Sequence, residues 1–595
     1  MTGSRVGRRG IGVVVTILIV APAIAAVIAL AGRRWYPTDD FAIIDLRVRD
    51  VFTAHTPLIG LYSRPGWNHP GPLMFWGIAP LSWLSGQAPW ATRVGGALLQ
   101  GIALVWLGVV TARRSARLAL SAGVVVSLSY LASNQWLFRE PWNLHIPLPY
   151  FVLFLFLTHL ASVGESRQFI AMSIAATVMI STHISYAPLV IAGFAYALAW
   201  TMIDARRSGT ASARWKQTLA ISGAIWLVTW VAPLLDVILH WPGNLDKIAR
   251  YFVGGGHASV GIGNSLHYMA EEFQWVPPWL GGAHRLQLFS GFALPASFAW
   301  LLVPVAMLAV AAFATRLTRS REDARMVGLA AVMLVVGVVA IAGADEPRSY
   351  TFQWRSTVAA FLAVACVRSV VGMVTDRGPS RRRVGRVVAV LVAVGMVAWG
   401  SIAMTVAVVR RPSAFLAMRE RDLQVAMRVI DAGPAPKGPI RVRDAGSSLP
   451  SLFDGVVNEL ARRGVDVRVD PEKGRIFGTS RTIAKSAGVQ TWYVTEKGSL
   501  IPKLLAHKGS HLLVATTPLS AAEDRELARL QEKIGRTLDA NGHSDRRRYL
   551  DSSLIGFDLV GIPGIAPVDL LRLGQLTARV ERVARCRCAI VVVPS

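Results

Sequence analysis

The sequence predicts an α-helical polytopic membrane protein of about eleven transmembrane helices, followed by a C-terminal α/β domain on the extracytoplasmic side. Three observations predict this fold class. Of the 595 residues, 53% are hydrophobic and only 17% are charged. Uncharged apolar runs long enough to cross a bilayer recur through most of the chain. After Arg411 they give way to short patterns typical of alternating strands and helices.

The first apolar run follows a basic N-terminus and in this respect resembles a signal peptide. It nevertheless continues over residues 11–32, which corresponds to roughly 30 Å of helix, and it ends at Arg33 and Arg34. We therefore predict an uncleaved first span with a cytoplasmic N-terminus.

Ten further apolar runs predict the remaining spans. They lie near residues 90–111, 118–133, 145–161, 169–182, 186–203, 218–239, 292–315, 327–343, 357–374 and 387–409. One more run, residues 71–86, is short and contains two prolines, so its length alone does not decide whether it crosses the membrane.

Positive charge decides the ambiguous run. If residues 71–86 do not span, each cytoplasmic connection is basic, as the positive-inside rule requires. We therefore expect an interfacial helix in the first outer loop, with Trp76 and Trp83 at the membrane interface. Much of the net charge of +27 belongs to these connections, so we predict contacts with the lipid bilayer and no nucleic-acid partner.

This topology places most of the unusual polar residues outside a plasma membrane. The outer loops are residues 33–89, 134–144, 240–291 and 344–356, together with everything after residue 411. We divide the chain into a transmembrane domain, 1–411, and an extracytoplasmic α/β domain, 412–595. Near the C-terminus Cys586 and Cys588 form a lone Cys-x-Cys, for which a strained disulfide and a metal site stay open as alternatives.

Asp39 and Asp40 lie only a few residues beyond the first span. A carboxylate at the mouth of a membrane cavity costs free energy unless it is solvated, paired or used in chemistry. The alternative is an ordinary helix cap, because Asp39 precedes an amphipathic pattern. Asp45 and Asp50, farther along that pattern, are expected on its solvated face.

The same loop continues with "LIGLYSRPGWNHPGPLMFW", which concentrates polar and aromatic side chains before the interfacial run. An acidic pair after the first span, a long first outer loop, a His-Pro-rich interfacial helix and a C-terminal outer domain together resemble the GT-C superfamily of membrane glycosyltransferases. The segment from Asn68 to Arg114 is similar in layout to protein mannosyltransferases and to the aminoarabinose transferases that modify lipid A, with Arg93 entering the next span. It has His-Pro-Gly-Pro where those enzymes have Pro-Pro-Leu, which leaves the donor class open.

The resemblance covers roughly residues 1–200. An Asp-Asp pair in this position also resembles mycobacterial arabinofuranosyltransferases, and the richness in Ala, Val and Arg fits an actinobacterial source. The resemblance implies an enzyme that uses a polyprenyl-phosphate sugar as its donor and a cell-envelope glycan or glycolipid as its acceptor. It implies no certain cofactor; a divalent metal ion held by Asp39, Asp40 and a loop carboxylate stays open.

Such a reaction needs a base for the acceptor hydroxyl and cations or hydrogen-bond donors for the departing phosphate. Asp40 is the expected base, and Asp39 its helper. The expected phosphate-binding residues are Arg64, His69, Arg139, His183, Arg348 and Arg355. The expected sugar- or acceptor-binding residues are Trp67, Asn68, Glu140, Trp142, Asn143, His145 and His257.

Structural alternatives accompany these assignments. Arg64 can contact a lipid headgroup, His183 can be a buried and satisfied histidine, and Arg139 can simply pair with Glu140. Arg348 and Arg355 can pair with Asp345 and Glu346, and the tryptophans can belong to an interfacial aromatic belt. For the whole protein, the alternatives to an enzyme are a transporter or flippase of lipid-linked saccharides and a non-catalytic envelope scaffold.

Overall fold

The computed structural model describes residues 3–594 except for several short stretches. The excepted residues are 135, 209–212, 255–258, 283–295, 346–348, 376–378, 411–413, 435, 437, 447–450, 486, 497–499, 516–518, 520, 551–558, 560–561 and 585–588. His257, Arg348, Cys586 and Cys588 therefore lie outside the described residues.

The chain forms two compact units. The first comprises Met1–Arg34 and Val48–Arg411, and the second comprises Trp35–Arg47 and Pro412–Ser595. The segment Trp35–Arg47 follows the first span in the chain but belongs to the same unit as the C-terminal region.

Helices make up nearly all the regular structure of the first unit. They are α1 Gly3–Leu30, α2 Asp39–Asp50 (its residues through Arg47 belong to the second unit), α3 Leu73–Leu84, α4 Pro89–Arg114, α5 Ala116–Ala132, α6 Trp136–Arg139, α7 Pro147–Ser162, α8 Gln168–Thr182, α9 Ala187–Ser208, α10 Ala213–Leu239, α11 Gly243–Val253, α12 Gly261–Ala270, α13 Leu302–Thr318, α14 Arg321–Ala342, α15 Trp354–Thr375 and α16 Pro379–Val409.

Eight helices among the described residues are long and apolar enough to cross a membrane, so the protein is multi-pass. They contain Gly10–Leu30, Pro89–Arg114, Ile184–Arg207, Trp215–Leu239, Phe298–Thr318, Arg321–Ala342, Trp354–Val374 and Val384–Val409. The other three predicted spans correspond to the shorter apolar helices α5, α7 and α8, and the 71–86 run contains the short helix α3. The count of eleven spans stays a prediction.

Burial of these helices follows their apolar pattern. Every residue of α7 is buried, as expected for a helix that is apolar on all sides and lies in the centre of a bundle. By contrast, α13 exposes Leu302, Val305 and Phe313, each by at least 60%. An exposed apolar face of this kind suits a helix that faces lipid.

The second unit contains a five-stranded sheet in the order β2-β1-β3-β5-β4. The strands are β1 Ile440–Asp444, β2 Val467–Arg468, β3 Thr491–Thr495, β4 His511–Ala515 and β5 Ala589–Val593. β1 is parallel to β2 and β3, whereas β5 is antiparallel to β3 and β4. The helices are α17 Ala414–Ala432, α18 Leu452–Arg462, α19 Gly474–Phe477, α20 Ile501–Leu505, α21 Ala521–Ala540 and α22 Pro567–Ala584.

The amphipathic helix α18 covers the parallel part of this sheet. Phe453, Val456, Val457 and Leu460 recur at helical spacing and are all buried. The chain leaves β1 through α18 to β2 and then returns to β3 on the other side of β1. The connection that leaves β1 therefore runs to one side of the sheet, and the connection that leaves β3 runs to the other. In α/β sheets a crevice forms between two such neighbouring strands, at their carboxyl ends.

A cluster of charged side chains joins several helix ends of the first unit. At the start of α14, Asp323 accepts hydrogen bonds from Arg368 Nε at 2.5 Å, Arg117 at 3.1 Å and Ser320 Oγ at 2.8 Å. The Asp323 and Arg368 side chains are only 3% and 5% exposed. The adjacent Glu322 pairs with Arg114 at 2.6 Å but is 47% exposed.

These neighbours make a matched stability test. We expect Asp323→Ala to destabilise the first unit by about 3–5 kcal/mol, because it leaves the buried Arg368 guanidinium with only the longer contact to the half-exposed Glu322, at 3.6 Å. Glu322→Ala removes that contact and the solvent-screened pair with Arg114 and should cost about 1 kcal/mol or less. Thermal unfolding of both variants in detergent measures the difference, and equal effects would show that burial does not govern this cluster.

Candidate functional site

The acidic pair occupies the first turn of α2. The helix begins at Asp39, which has a left-handed φ of 54°, and the Asp39 amide donates a hydrogen bond to the Ser451 carbonyl at 3.1 Å. Asp39 and Asp40 are both partly exposed. Carboxylates in a first turn interact favourably with the helix dipole, so both acids have a structural reason to be there as well as a chemical one.

Farther along α2, Asp45 and Asp50 are buried, with exposures of 1% and 4%. The expectation that they form a solvated face is wrong. The Asp45 carboxylate accepts hydrogen bonds from Asn458 Nδ2 at 3.0 Å and from the Arg462 guanidinium, both on α18. The sequence around Asp45 could not reveal this burial, because the partners lie more than 400 positions away in the chain.

Asp454, in the first turn of α18, is an acidic residue that the sequence did not single out. Its carboxyl is buried, and burial raises its pKa to about 7. The Lys473 ammonium opposes that rise, whereas the negative charges of Asp40 and Asp444 add to it. Lys473 also lies 3.7 Å from the Asp444 carboxylate. The Asp454 carboxyl thus interacts electrostatically with Asp40, the predicted base.

Among the first-unit candidates, His69 and His183 come together. Their ring centroids are 4.4 Å apart, and His183 Nδ1 lies 2.7 Å from Ser185 Oγ. Burial lowers the pKa of His183 to about 3, and burial together with His183 holds the pKa of His69 well below its usual value. Both rings are therefore neutral near pH 7 and can act as hydrogen-bond donors or acceptors without carrying charge.

The loop before His69 is folded back on itself and anchored. Asn68 exchanges two hydrogen bonds with Asn244, at 2.7 and 2.8 Å, and Trp67 packs against Tyr251 and Phe252. Arg64 lies at the exposed turn of this loop, where Ser63 N–H donates to the Trp67 carbonyl. Of the candidate phosphate-binding arginines that the structure describes, only Arg64 is exposed.

Arg139 binds backbone carbonyl groups, and Glu140 binds a different arginine. Arg139 donates to the Val408 and Arg410 carbonyls at 2.6 and 2.9 Å, which satisfies the C-terminal end of α16. Glu140 forms a buried ion pair with Arg93 at 2.7 Å. Both side chains thus have a role in the fold.

The aromatic residues that follow form a cluster in the first unit. Trp142 stacks on Tyr350 with ring centroids 5.6 Å apart and meets the His145 ring edge to face. Asn143 is buried beside them in the chain. Burial lowers the pKa of His145 to about 4, so this ring is also neutral near pH 7.

Arg355 lies between two buried carboxylates. Its guanidinium contacts Glu271 at 3.1 Å and Glu272 at 3.6 Å and donates to the Tyr268 carbonyl at 2.7 Å. Burial raises the pKa of Glu272 to about 7, although Arg355 opposes the rise. Arg355 therefore has carboxylate partners from the 240–291 loop; Glu346, one of the two partners considered in the sequence analysis, lies outside the described residues.

No group of three potential metal ligands occurs among the residues that the structure describes. The acidic pair belongs to the second unit, whereas the described candidates for phosphate and sugar binding belong to the first.

The environment of Arg355 predicts a pH-dependent effect of its removal. Arg355→Ala should cost about 3–5 kcal/mol at pH 8, where two buried carboxylates lose their cation. The loss should be smaller at pH 5.5, because Glu272 is then protonated and neutral. Arg250→Ala, which removes a 75% exposed partner of Asp246, is the control. Thermal unfolding at both pH values measures the change, and an equal loss at the two would contradict the charge argument.

The fold has a counterpart among solved structures. ArnT from Cupriavidus metallidurans bound to undecaprenyl phosphate matches with a TM-score of 0.50 and 15% identity, over 84% of this chain and 96% of that one. The apo state of ArnT matches with a TM-score of 0.48 and 13% identity, over 84% and 95%. No protein-family model matches the sequence, and neither does any curated protein. The chain therefore has an ArnT-like fold.

Proposed function

We propose that this protein is a membrane glycosyltransferase that moves a sugar from a polyprenyl-phosphate donor to a cell-envelope glycan or glycolipid on the outer face of the membrane. The observation that carries the proposal is the fold shared with ArnT, a protein that was crystallised with undecaprenyl phosphate. The acidic pair at the start of α2 supplies the carboxylates that such a transfer needs.

The proposed reaction is a displacement at the anomeric carbon. Asp40 takes the proton of the acceptor hydroxyl while the hydroxyl oxygen forms the new bond to that carbon. The bond from the anomeric carbon to the phosphate oxygen breaks, and polyprenyl phosphate leaves with the bonding electrons. Asp39 assists by holding the start of the helix in place. Partial exposure of both carboxylates is consistent with access to an acceptor.

For the donor phosphate, the geometry favours Arg64. Its exposure leaves the guanidinium able to reach an anion, whereas Arg139 and Arg355 are buried and occupied by carbonyl or carboxylate oxygens. His69 and His183 are proposed as neutral hydrogen-bonding groups for the same phosphate. Trp67, Asn68, Trp142, Asn143 and His145 stay candidates for sugar or acceptor contacts, since aromatic faces and amides suit sugar rings and hydroxyls.

A transporter or flippase would need a different distribution of charged residues in the membrane spans. A transporter or flippase typically has ionisable groups near the membrane midplane. All but one of the charged residues within the eight described spans lie towards the helix ends instead, with Asp323 and Arg355 as examples; Arg368 lies nearer the middle of its span and is paired with Asp323. This distribution favours a catalytic protein over a transporter. An arabinofuranosyltransferase of an actinobacterial envelope is the specific form that the Asp-Asp pair suggests.

Replacement of the base tests the proposal directly. Purified protein is supplied with a panel of undecaprenyl-phosphate-linked pentoses and hexoses and with envelope glycan as acceptor, and sugar transfer is measured. Asp40→Asn should lower the transfer rate at least about 100-fold, because the amide cannot take a proton. Asp246→Asn, on the exposed part of α11, is the control and should keep the wild-type rate.

Two outcomes of that experiment would contradict the proposal. Full activity of folded Asp40→Asn would remove Asp40 from the role of base. Wild-type protein that carries the intact donors across vesicle membranes, but transfers no sugar, would favour a flippase.

Arg64→Ala separates donor binding from chemistry. Loss of one charge-assisted hydrogen bond, about 1.5–3 kcal/mol, should raise the KM for the donor at least tenfold and change kcat little. The Arg250→Ala protein should behave as wild type. Titration of donor against initial rate gives both constants; an unchanged donor KM would exclude Arg64 from the phosphate site.

A further inference from the structure

One face of α18 packs against the first half of α2 and the residues just before it. Four positions carry the contacts, namely Ser451 just before α18 and Gly455, Asn458 and Arg462 within it. Their spacings of four, three and four residues place them along one side of a helix. All these contacts lie within the second unit.

The contacts begin at the acidic pair. Ser451 accepts the hydrogen bond of the Asp39 amide, which is one of the helix-terminal donors without a partner inside α2. Gly455 packs closely on the segment that precedes Asp39 and on α17. A Cβ added at this position would lie 2.6 Å from Leu423 Cδ2, 2.9 Å from the Pro37 carbonyl oxygen and 3.3 Å from Thr38 Cγ2. The chain just before Asp39 therefore lies directly on the α18 backbone.

The contacts continue one and a half turns along α2. Asp45 is almost completely buried, and a buried carboxylate needs its hydrogen bonds. Asn458 and Arg462 supply them, so α2 has little freedom to rotate or slide along α18. Asp40 lies between the two anchors, five residues before Asp45.

Charged groups at the carboxyl edge of the sheet complete this environment. Asp454 lies on α18 one residue before Gly455, Asp444 ends β1, and Lys473 follows β2. Glu496, just after β3, accepts the Leu452 amide at 3.1 Å and pairs with Arg419. Glu496 thereby anchors the first turn of α18 to the edge of the sheet.

We propose that α18 belongs to the catalytic apparatus: Gly455, Asn458 and Arg462 are positioning residues that hold the acidic pair at the start of α2 in place. This role rests on the proposed function, because it gives the C-terminal domain a part in the transfer reaction.

A glycine substitution tests the positioning role. Gly455→Ala pushes a methyl group against the Pro37 carbonyl, whereas Gly488→Ala meets no atom within 4 Å and is the matched control. Gly455→Ala should speed hydrogen–deuterium exchange of the amides from Asp39 to Leu46 at least tenfold and lower kcat at least tenfold, with the donor KM unchanged. The control should leave exchange and both constants as in wild type.

Each result of this comparison has a consequence. Unchanged exchange in folded Gly455→Ala would overturn the positioning by α18, and altered exchange with wild-type kcat would overturn its importance for the reaction. Exchange is measured without substrate. If wild-type protein transfers no sugar at all, the proposed function fails, while the exchange data still decide whether α18 holds the acidic pair.

Discussion

The buried Asp45 carboxylate is the constraint on which the arrangement of the candidate base depends. A carboxylate with 1% exposure is stable only when hydrogen-bonded partners replace its water, and Asn458 and Arg462 do so. Because both partners lie on α18, they fix the helix that begins with Asp39 and Asp40. Gly455 allows the two backbones to approach closely enough for this contact. The position of the helix that carries the acidic pair thus depends on contacts with α18 within the second unit.

The first unit relies on the same principle in several places. Arg93 with Glu140, Arg355 with Glu271 and Glu272, and Arg368 with Asp323 are buried ion pairs near the ends of apolar helices. Buried charged groups of this kind can form hydrogen bonds only with each other or with the backbone, because neither lipid nor the packed apolar core offers hydrogen-bonding partners. Arginines that looked available for a phosphate are therefore partly used to hold helix ends together. Arg64, on an exposed turn, is not buried in this way.

The candidate site was only partly predictable from the sequence. The sequence placed His69 and His183 among the candidate phosphate-binding residues but did not predict that they are close together, because the 4.4 Å contact depends on packing between distant parts of the chain. Glu140 could be expected to pair with an arginine, but the sequence did not identify Arg93, 47 positions earlier, as the partner of the buried ion pair. Asp454 had no distinguishing pattern, since an acidic residue in the first turn of a helix is common. Its burial arises only from the tertiary packing around α18.

The sequence by itself determined the membrane-protein class and the positions of the long apolar helices. These features are local, because a span must satisfy its own backbone hydrogen bonds and must be long and apolar enough to cross lipid. Only the tertiary structure decided which charges are buried, which arginines are occupied and that residues Trp35–Arg47 belong with the C-terminal unit. The physical reason is that a charge can be buried only where a partner compensates it. The Asn458 partner of Asp45 lies more than 400 residues away, so no periodicity or motif in the sequence could identify it.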